Sequence, residues 1–398
     1  MLQSLALIFI IGLGLASICR KLRLPRILGM LLTGILLGPY MFNLLDSSIL
    51  NISAELRKFA LIIILLKAGL SLNLADLKKV GRPAMLMSFV PAFCEITAFI
   101  VFAPHILGIT MLEAAIMGAV LSAVSPAIVV PRMVDLMDKK YGTEKSIPQM
   151  ILASSSLDDI FDIVIFTTFL GMAQGDSISA ASFAQIPISI ISGLVIGYVF
   201  GYILSKFFEF KYVKKNYVRN SMKTIIILGM SFYLVSLEVI VADWFPMSGI
   251  LAVMSMAIAI QRNSDAFVVR RLSEKFGKLW LAAEVLLFVL VGATVDIRYT
   301  LAAGGAAVIM ILLALVFRSI GVFICLLGTN FNMKEKLYCM IAYIPKATVQ
   351  AAIGSIPLAA GLACGKIVLA VAVLAIIITA PLGAFGMELT YKRFLEKN

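Results

Sequence analysis

Apolar residues run in long stretches along almost the whole chain, parted by short polar segments rich in Lys and Arg. The stretches fall at about residues 3–19, 25–40, 58–74, 83–105, 111–134, 147–173, 181–205, 222–241, 245–262, 278–296, 300–328, 335–360 and 366–389. Each is near the ~20 residues that a helix needs to cross the hydrocarbon core of a bilayer. The short alternating segments of a membrane barrel do not occur in the sequence. The pattern predicts an all-α polytopic membrane protein of thirteen transmembrane helices, residues 1–398 forming one integral membrane unit with only loops and a short tail outside the bilayer. The first stretch opens at Met1 with no basic n-region or small-residue cleavage site, so it is expected to be retained.

Composition agrees with this pattern. Hydrophobic residues make up 61% of the 398 and charged residues 14%, against about 25% charged in a soluble domain. The net charge of +12 is a matter of placement. Lys and Arg gather in alternate loops: Arg20, Lys21, Arg23 and Arg26; Lys78, Lys79 and Arg82; Arg132, Lys139, Lys140 and Lys145; Lys206 to Lys223; Arg262 to Lys278; Lys334 and Lys336; and the tail. Only Arg57, Lys58, Arg298 and Lys366 fall on the other side, and Lys67, Arg318 and Lys346 lie inside spans. The positive-inside rule then puts the N-terminus outside and the C-terminus in the cytoplasm. The basic charge sets topology and marks no nucleic-acid footprint. The five cysteines (Cys19, Cys94, Cys325, Cys339 and Cys364) are scattered without paired spacing and read as small packing residues, which excludes a zinc knuckle or disulfide framework. His105 is the single histidine and is expected at the surface, so no His-based metal site or catalytic triad is available.

Two spans carry interruptions. The fifth holds Ser122-Ala-Val-Ser-Pro126 and then Pro131; the twelfth holds Pro345-Lys-Ala-Thr-Val-Gln350, then Gly354 and Pro357. Proline removes a backbone donor and clashes with the preceding turn. In lipid the freed carbonyls must find partners or line a cavity. Interrupted helices in corresponding places of two halves point to a transporter's substrate site, often across an inverted repeat; simple proline kinks are the plainer reading of either span alone. Ser122, Ser125, Thr348 and Gln350, polar residues beside the prolines, favour functional breaks.

The charges inside spans narrow the chemistry. Asp158 and Asp159 are adjacent within the apolar run 147–173, with Asp162 one turn further on roughly the same face. Glu95 and Glu284 lie in the fourth and tenth spans, and the bases are Lys67, Arg318 and Lys346. A charge at mid-membrane costs about 2.5–3.5 kcal/mol even on translocon scales, so such residues pair with one another and face a path for ions. Two adjacent acids require a cation or a base opposite them. The pair reads as a cation or proton site. Lys67 is expected to extend its charge to the cytoplasmic interface, and Glu284 to sit at the boundary of its span.

Five stretches carry a family resemblance: LPRILGMLLTGILLGP (24–39), LSAVSPAIVVPRM (121–133), SLDDI (156–160), LLFVLVGATVDI (286–297) and IPKATVQAAIGS (344–355). Over essentially its full length the chain resembles cation/proton antiporters of the sodium/hydrogen exchanger superfamily, nearest the two-aspartate branch that includes the sodium/hydrogen exchanger-like domain-containing proteins. The resemblance implies an antiporter-like fold with inverted repeats and two crossed broken helices, marked here by Ser122, Pro126, Pro345, Thr348 and Gln350. It implies core, ion-translocating helices at about 83–173 and 300–389, scaffold and dimerisation helices at about 3–74 and 181–262, and a linking helix at 278–296. Asp159 would carry the ion, alternately a proton or a cation, with Na+ held at Asp159 and Asp158 and with Ser125 and Ser155 contributing oxygen. Asp158 would pair with Arg318, and Glu95 with Lys346. Ser125 stands where many exchangers of the superfamily have an acid. Asp162 departs from the family pattern, which has a small apolar residue there. This extra acid would bind a further proton, hold a water chain or face a cytoplasmic cavity.

The function implied is exchange of protons for Na+ or Li+ by alternating access at the cell membrane, with transported ions in place of cofactors and no catalytic residues. Expected partners are the cation, the proton, the lipid bilayer and a second copy of the chain in a homodimer. A K+/H+ antiporter and a sodium-coupled solute carrier of the same fold are the alternatives. An intramembrane aspartyl protease would need its two acids on different helices, and a passive channel gives no role to intramembrane Lys and Arg.

Overall fold

The computed structural model describes residues 1–22, 24–71, 81–175, 180–213, 218–241, 244–295 and 297–397. Arg23, Lys78, Lys79, Lys214 and Lys215 from the basic loops lie outside the described residues. So do the side chains of Arg298 and of Ser156 and Ile160 in the SLDDI stretch. The chain is helical almost throughout. In order come α1 (Leu2–Lys21), α2 (Arg26–Leu37), α3 (Ser47–Asn51), α4 (Ser53–Ser71), α5 (Arg82–Met87), α6 (Val90–Leu107), α7 (Met111–Leu121), α8 (Pro126–Asp138) and α9 (Ile147–Gln174). There follow α10 (Ala180–Val213), α11 (Asn220–Ile240), α12 (Gly249–Asn263), α13 (Ala266–Ala293), α14 (Ile297–Cys325), α15 (Met333–Ala342), α16 (Thr348–Ile353), α17 (Ile356–Ala359) and α18 (Gly365–Phe394). Among the described residues eight helical segments are long and apolar enough to cross a membrane.

The apolar stretches coincide with these helices over their described residues, and three of them are divided. The stretch 83–105 splits at Ser88–Phe89 into α5 and α6. Pro91 stands in the first turn of α6, where its missing N–H costs no intrahelical bond, and the Ser88 hydroxyl returns to the Ala84 carbonyl at 2.8 Å. The stretch 111–134 splits into α7 and α8, and 335–360 into α15, α16 and α17. Both of these interrupted spans open on a capping box, Thr110 with Glu113 and Asn332 with Glu335, a reciprocal pairing that satisfies the first free N–H groups. Pro131 does not break its helix; it lies inside α8.

The chain forms two compact units, one of residues 1–54, 73–169 and 285–398, the other of residues 55–72 and 170–284. In the first, α2 packs closely on the end of α13, and a Cβ on Gly34 would meet the Val289 carbonyl oxygen at 1.9 Å. The end of the same unit is clasped against the loop that precedes α9. Gly142 N–H donates to the Glu396 carbonyl at 2.8 Å, Lys145 pairs with buried Glu335 at 2.9 Å, and Arg132 pairs with Glu388 at 2.7 Å over the Tyr391 ring. The hydrogen bond that Lys145 donates to Glu335 raises the pKa of Lys145, so this loop cation stays charged at every physiological pH. His105 is exposed, and Cys19, Cys94, Cys325, Cys339 and Cys364 are unbridged.

The second unit is held by small residues. Gly193, Gly197 and Gly201 recur every fourth position along α10, and Cβ atoms there would meet the carbonyl oxygens of Ser248, Ala252 and Met256 at 2.5, 2.1 and 2.4 Å. Between lipid-bathed helices the attraction is close packing, which glycine permits by letting backbones touch. Gly229 on α11, by contrast, has nothing within 4 Å of its would-be Cβ. Gly197→Ala is therefore expected to lower the thermal unfolding temperature in detergent, because the helices must part. Gly229→Ala should leave it unchanged or raise it, since alanine gains up to about 1 kcal/mol of helix propensity over glycine. Equal effects of the two substitutions would count against backbone contact as the source of stability.

Candidate functional site

The site is built from what the two interrupted spans do with their unpaired backbone. Pro126 has no N–H to give the Ser122 carbonyl, and Pro345 none to give Ile341, so neither helix continues through its break. Residues 122–125 and 343–347 are consequently non-helical, and most of their freed groups have identifiable partners. The Leu121 carbonyl accepts from Lys346 Nζ, the Ser122 carbonyl from Arg318 Nη1, and the Ala123 carbonyl from Gln350 Nε2 at 2.7 Å. Val124 N–H donates to Asp158 Oδ2 at 2.8 Å. Ser125 N–H donates to the Pro345 carbonyl at 2.8 Å, so the two breaks meet directly. In the second break the Tyr343 carbonyl accepts from Arg318 Nε at 2.8 Å, and Lys346 N–H donates to Thr379 Oγ1 of α18 at 3.0 Å. Ser125 Oγ stands 3.5 Å from Thr348 Oγ1.

A chain of charge runs through this crossing. Lys346 Nζ lies 2.8 Å from the Glu95 carboxylate of α6. Arg318 of α14 reaches Glu95 at 3.0 Å with Nη1 and Asp158 of α9 at 2.9 Å with Nη2. The order is Lys346, Glu95, Arg318, Asp158: two bases alternating with two acids, all buried. The two charge pairs expected from the sequence are thus joined into one network through a third contact, Arg318 to Glu95. Buried charges of this kind are tolerable only when paired and hydrogen-bonded on their remaining atoms, and the carbonyls of the breaks supply that bonding.

Asp159 and Asp162 stand outside the network. Among the described residues neither makes an ion pair. Asp162 Oδ1 is bonded to the Ser122 hydroxyl, while Asp162 Oδ2, Asp159 Oδ1 and Asp158 Oδ1 are buried without a hydrogen-bond partner among the described residues. Asp159 is 8% exposed, against 0% for Asp158 and Asp162, so it is the acid of the three with access to the surroundings. Ser155 is buried one turn before Asp159, its hydroxyl donating to the Leu152 carbonyl of its own helix at 3.1 Å. Lys67 and Glu284, the remaining charges expected within spans, belong to the second unit, on α4 and α13.

Tyr343, its partner Ser154 and Thr379 were not singled out from the sequence. Tyr343 is buried with the Arg318 guanidinium 5.4 Å from its ring centre, and its hydroxyl bonds Ser154. Thr379 caps the backbone of Lys346. The only sequence signal for Thr379 is a lone hydroxyl in the apolar run of the last span. Tyr343 shows itself by standing directly before the IPKATVQ stretch.

Interrupted helices whose broken segments cross over a buried set of acids and bases define a secondary transporter. The particular family is settled by comparison. The sequence profile described as "Sodium/hydrogen exchanger, transmembrane" matches residues 5–390, and the chain belongs to that family. It is 33% identical to sodium/hydrogen exchanger 9B2 of Xenopus tropicalis, over 99% of this chain and 75% of that protein. It is 32% identical to the human sodium/hydrogen exchanger 9B1, over 94% of this chain and 73% of that one. The fold is that of the sodium proton antiporter MjNhaP1 from Methanocaldococcus jannaschii, with a TM-score of 0.82 at 20% identity, covering 98% of this chain and 97% of that one. The protein is thus a multi-pass integral membrane protein of the cation/proton antiporter class, as the sequence stretches implied.

Arg318 should matter to folding more than Asp159 does. Arg318→Ala leaves Glu95 and Asp158 short of charge and frees the Ser122 and Tyr343 carbonyls, whereas Asp159→Asn removes no ion pair. Breaking a buried pair costs about 3–5 kcal/mol, so Arg318→Ala is expected to unfold at a clearly lower temperature in detergent than Asp159→Asn. Equal unfolding temperatures would show that Arg318 does not hold the two acids.

Proposed function

We propose that the protein moves protons against Na+ or Li+ by alternating access, the two ions competing for the Asp159 carboxylate. The observation that carries this reading is a contrast between neighbours. Asp158 is bound by Arg318 and by Val124 N–H, while Asp159 has no base among the described residues and is the more exposed. With Asp158 held ionised, Asp159 is the group left to bind either a proton or a cation. Either ligand neutralises it, and a neutral carrier is what a low-dielectric path tolerates. Cation entry then expels the proton, and the core reorients only when one of the two is bound. Ser125, Ser155 and the free Asp158 Oδ1 would complete an oxygen site for a hard monovalent ion, with the N-terminus of α8 facing the same crossing.

Thirteen spans, an outside N-terminus, a cytoplasmic C-terminus, the core at about 83–173 and 300–389 against a scaffold at about 3–74 and 181–262, homodimerisation and residence in the cell membrane belong to the same reading. It is supported by the alternation of basic loops and by the family.

The test is proton movement in reconstituted vesicles loaded with acid and a pH dye, with Na+, Li+ and K+ added in turn. Wild type is expected to release protons on addition of Na+ or Li+, and Asp159→Asn to match protein-free vesicles while remaining folded. Exchange persisting in Asp159→Asn would remove that residue from the carrier role. A response to K+ alone would assign a K+/H+ antiporter, and dependence on an organic solute a symporter.

A further inference from the structure

Four buried acids surround the crossing, and only two bases answer them. The N–H groups of Arg318 and Lys346 are directed at Glu95, Asp158 and the carbonyls of Leu121, Ser122 and Tyr343. Glu95 and Asp158 therefore balance the two bases. Among the described residues Asp162, fully buried, has one neighbour bonded to it, the Ser122 hydroxyl. That hydroxyl also lies 3.2 Å from the Ala119 carbonyl, the acceptor a serine at a helix end ordinarily uses. A hydroxyl has one proton to donate. If it serves Ala119, the bond between Ser122 and Asp162 requires the proton of the acid. If instead Asp162 were ionised, it would keep one bond, leave Oδ2 bare and bury a charge with no base, the costliest arrangement open to it.

Resting on the carrier role of Asp159 proposed above, we infer that Asp162 stays protonated throughout the transport cycle and acts as a positioning residue. Its O–H donates to Ser122 Oγ, which donates on to the Ala119 carbonyl. This short relay ties the helix of Asp158 and Asp159 to the end of α7 at the start of its break, without adding charge. Among the described residues no three His, Cys, Asp or Glu side chains converge closely enough to hold one metal ion, and in this inference Asp162 joins the site through its proton. The titratable groups that act on it are Asp158 and Asp159 on its own helix, Arg318 on α14 and Lys346 in the second break. The two bases are consumed by Glu95 and Asp158, and Asp159 is left as the acid that exchanges.

Infrared spectroscopy of the full chain in proteoliposomes tests this directly through the carbonyl stretch of a protonated carboxylic acid. One such band should be absent from Asp162→Asn and, in wild type, should persist with and without sodium and across the pH range of transport. A second band, absent from Asp159→Asn, should vanish on adding sodium. Loss of the Asp162 band with sodium overturns the inference and makes Asp162 a second proton carrier. Its absence at all pH values makes Asp162 a fixed charge and overturns it equally. Transport supplies an independent readout. Asp162→Ala should exchange roughly 10-fold more slowly, the loss of one positioned hydrogen bond. Asp162→Asn, which keeps a donor of the same shape, should restore exchange with the pH midpoint of wild type. A displaced midpoint in folded Asp162→Asn would mean that Asp162 must ionise. Wild type without any cation-dependent proton movement would count against the carrier role of Asp159, while the Asp162 band would still be read on its own.

Discussion

A backbone carbonyl without a partner is one of the costliest objects in a membrane interior, and the centre of this protein contains two places where proline guarantees such groups. The cost is met with charge. Arg318, Lys346 and Gln350 donate to the carbonyls that α7 leaves open, and the Asp158 carboxylate accepts one of the N–H groups at the start of α8. Charged side chains are thus held deep in an apolar protein because the breaks need them. The breaks in turn are tolerated because those side chains are present. Each half of this arrangement would be expensive alone.

The consequence for ion transport is a division of labour among acids of the same chemical type. Glu95 and Asp158 are committed to structure by Lys346 and Arg318. Asp162 is committed by Ser122. Asp159, adjacent to Asp158 in sequence, escapes because successive residues on a helix point about 100° apart, so the guanidinium that reaches one does not reach the other. On the function proposed above, selecting a single carboxylate for exchange out of four needs no special residue type, only geometry. The second unit follows a different rule: its helices meet through Gly193, Gly197 and Gly201 with backbones in contact, a packing that stabilises without any charge.

Much was legible in the sequence, for physical reasons. A bilayer imposes length and apolarity on every span, so the helices could be read from hydropathy alone, and the basic loops carry the expected orientation. Proline announces a break wherever it interrupts such a run, and a carboxylate inside one announces function. Residues 122–126 and 345–350 and Asp158, Asp159, Glu95, Arg318 and Lys346 all stood out on those grounds. Finer features did not. The division of 83–105 into two helices and the continuation of α8 through Pro131 depend on how neighbouring turns satisfy one lost hydrogen bond, which sequence does not specify.

What the sequence determined by itself was the class of molecule, its apolar helices and the list of residues too costly to bury without purpose, because each of these follows from the transfer of single groups into hydrocarbon. What only the tertiary structure decided was how the paired charges join and what else they touch. Arg318 bridges two acids instead of serving one, Tyr343 and Thr379 enter the site, and Asp162 turns to Ser122 just past the end of α7, 40 positions away in the chain. Those choices rest on distances of about 3 Å between elements far apart in the chain, the scale on which hydrogen bonds form, and no one-dimensional pattern carries information on that scale.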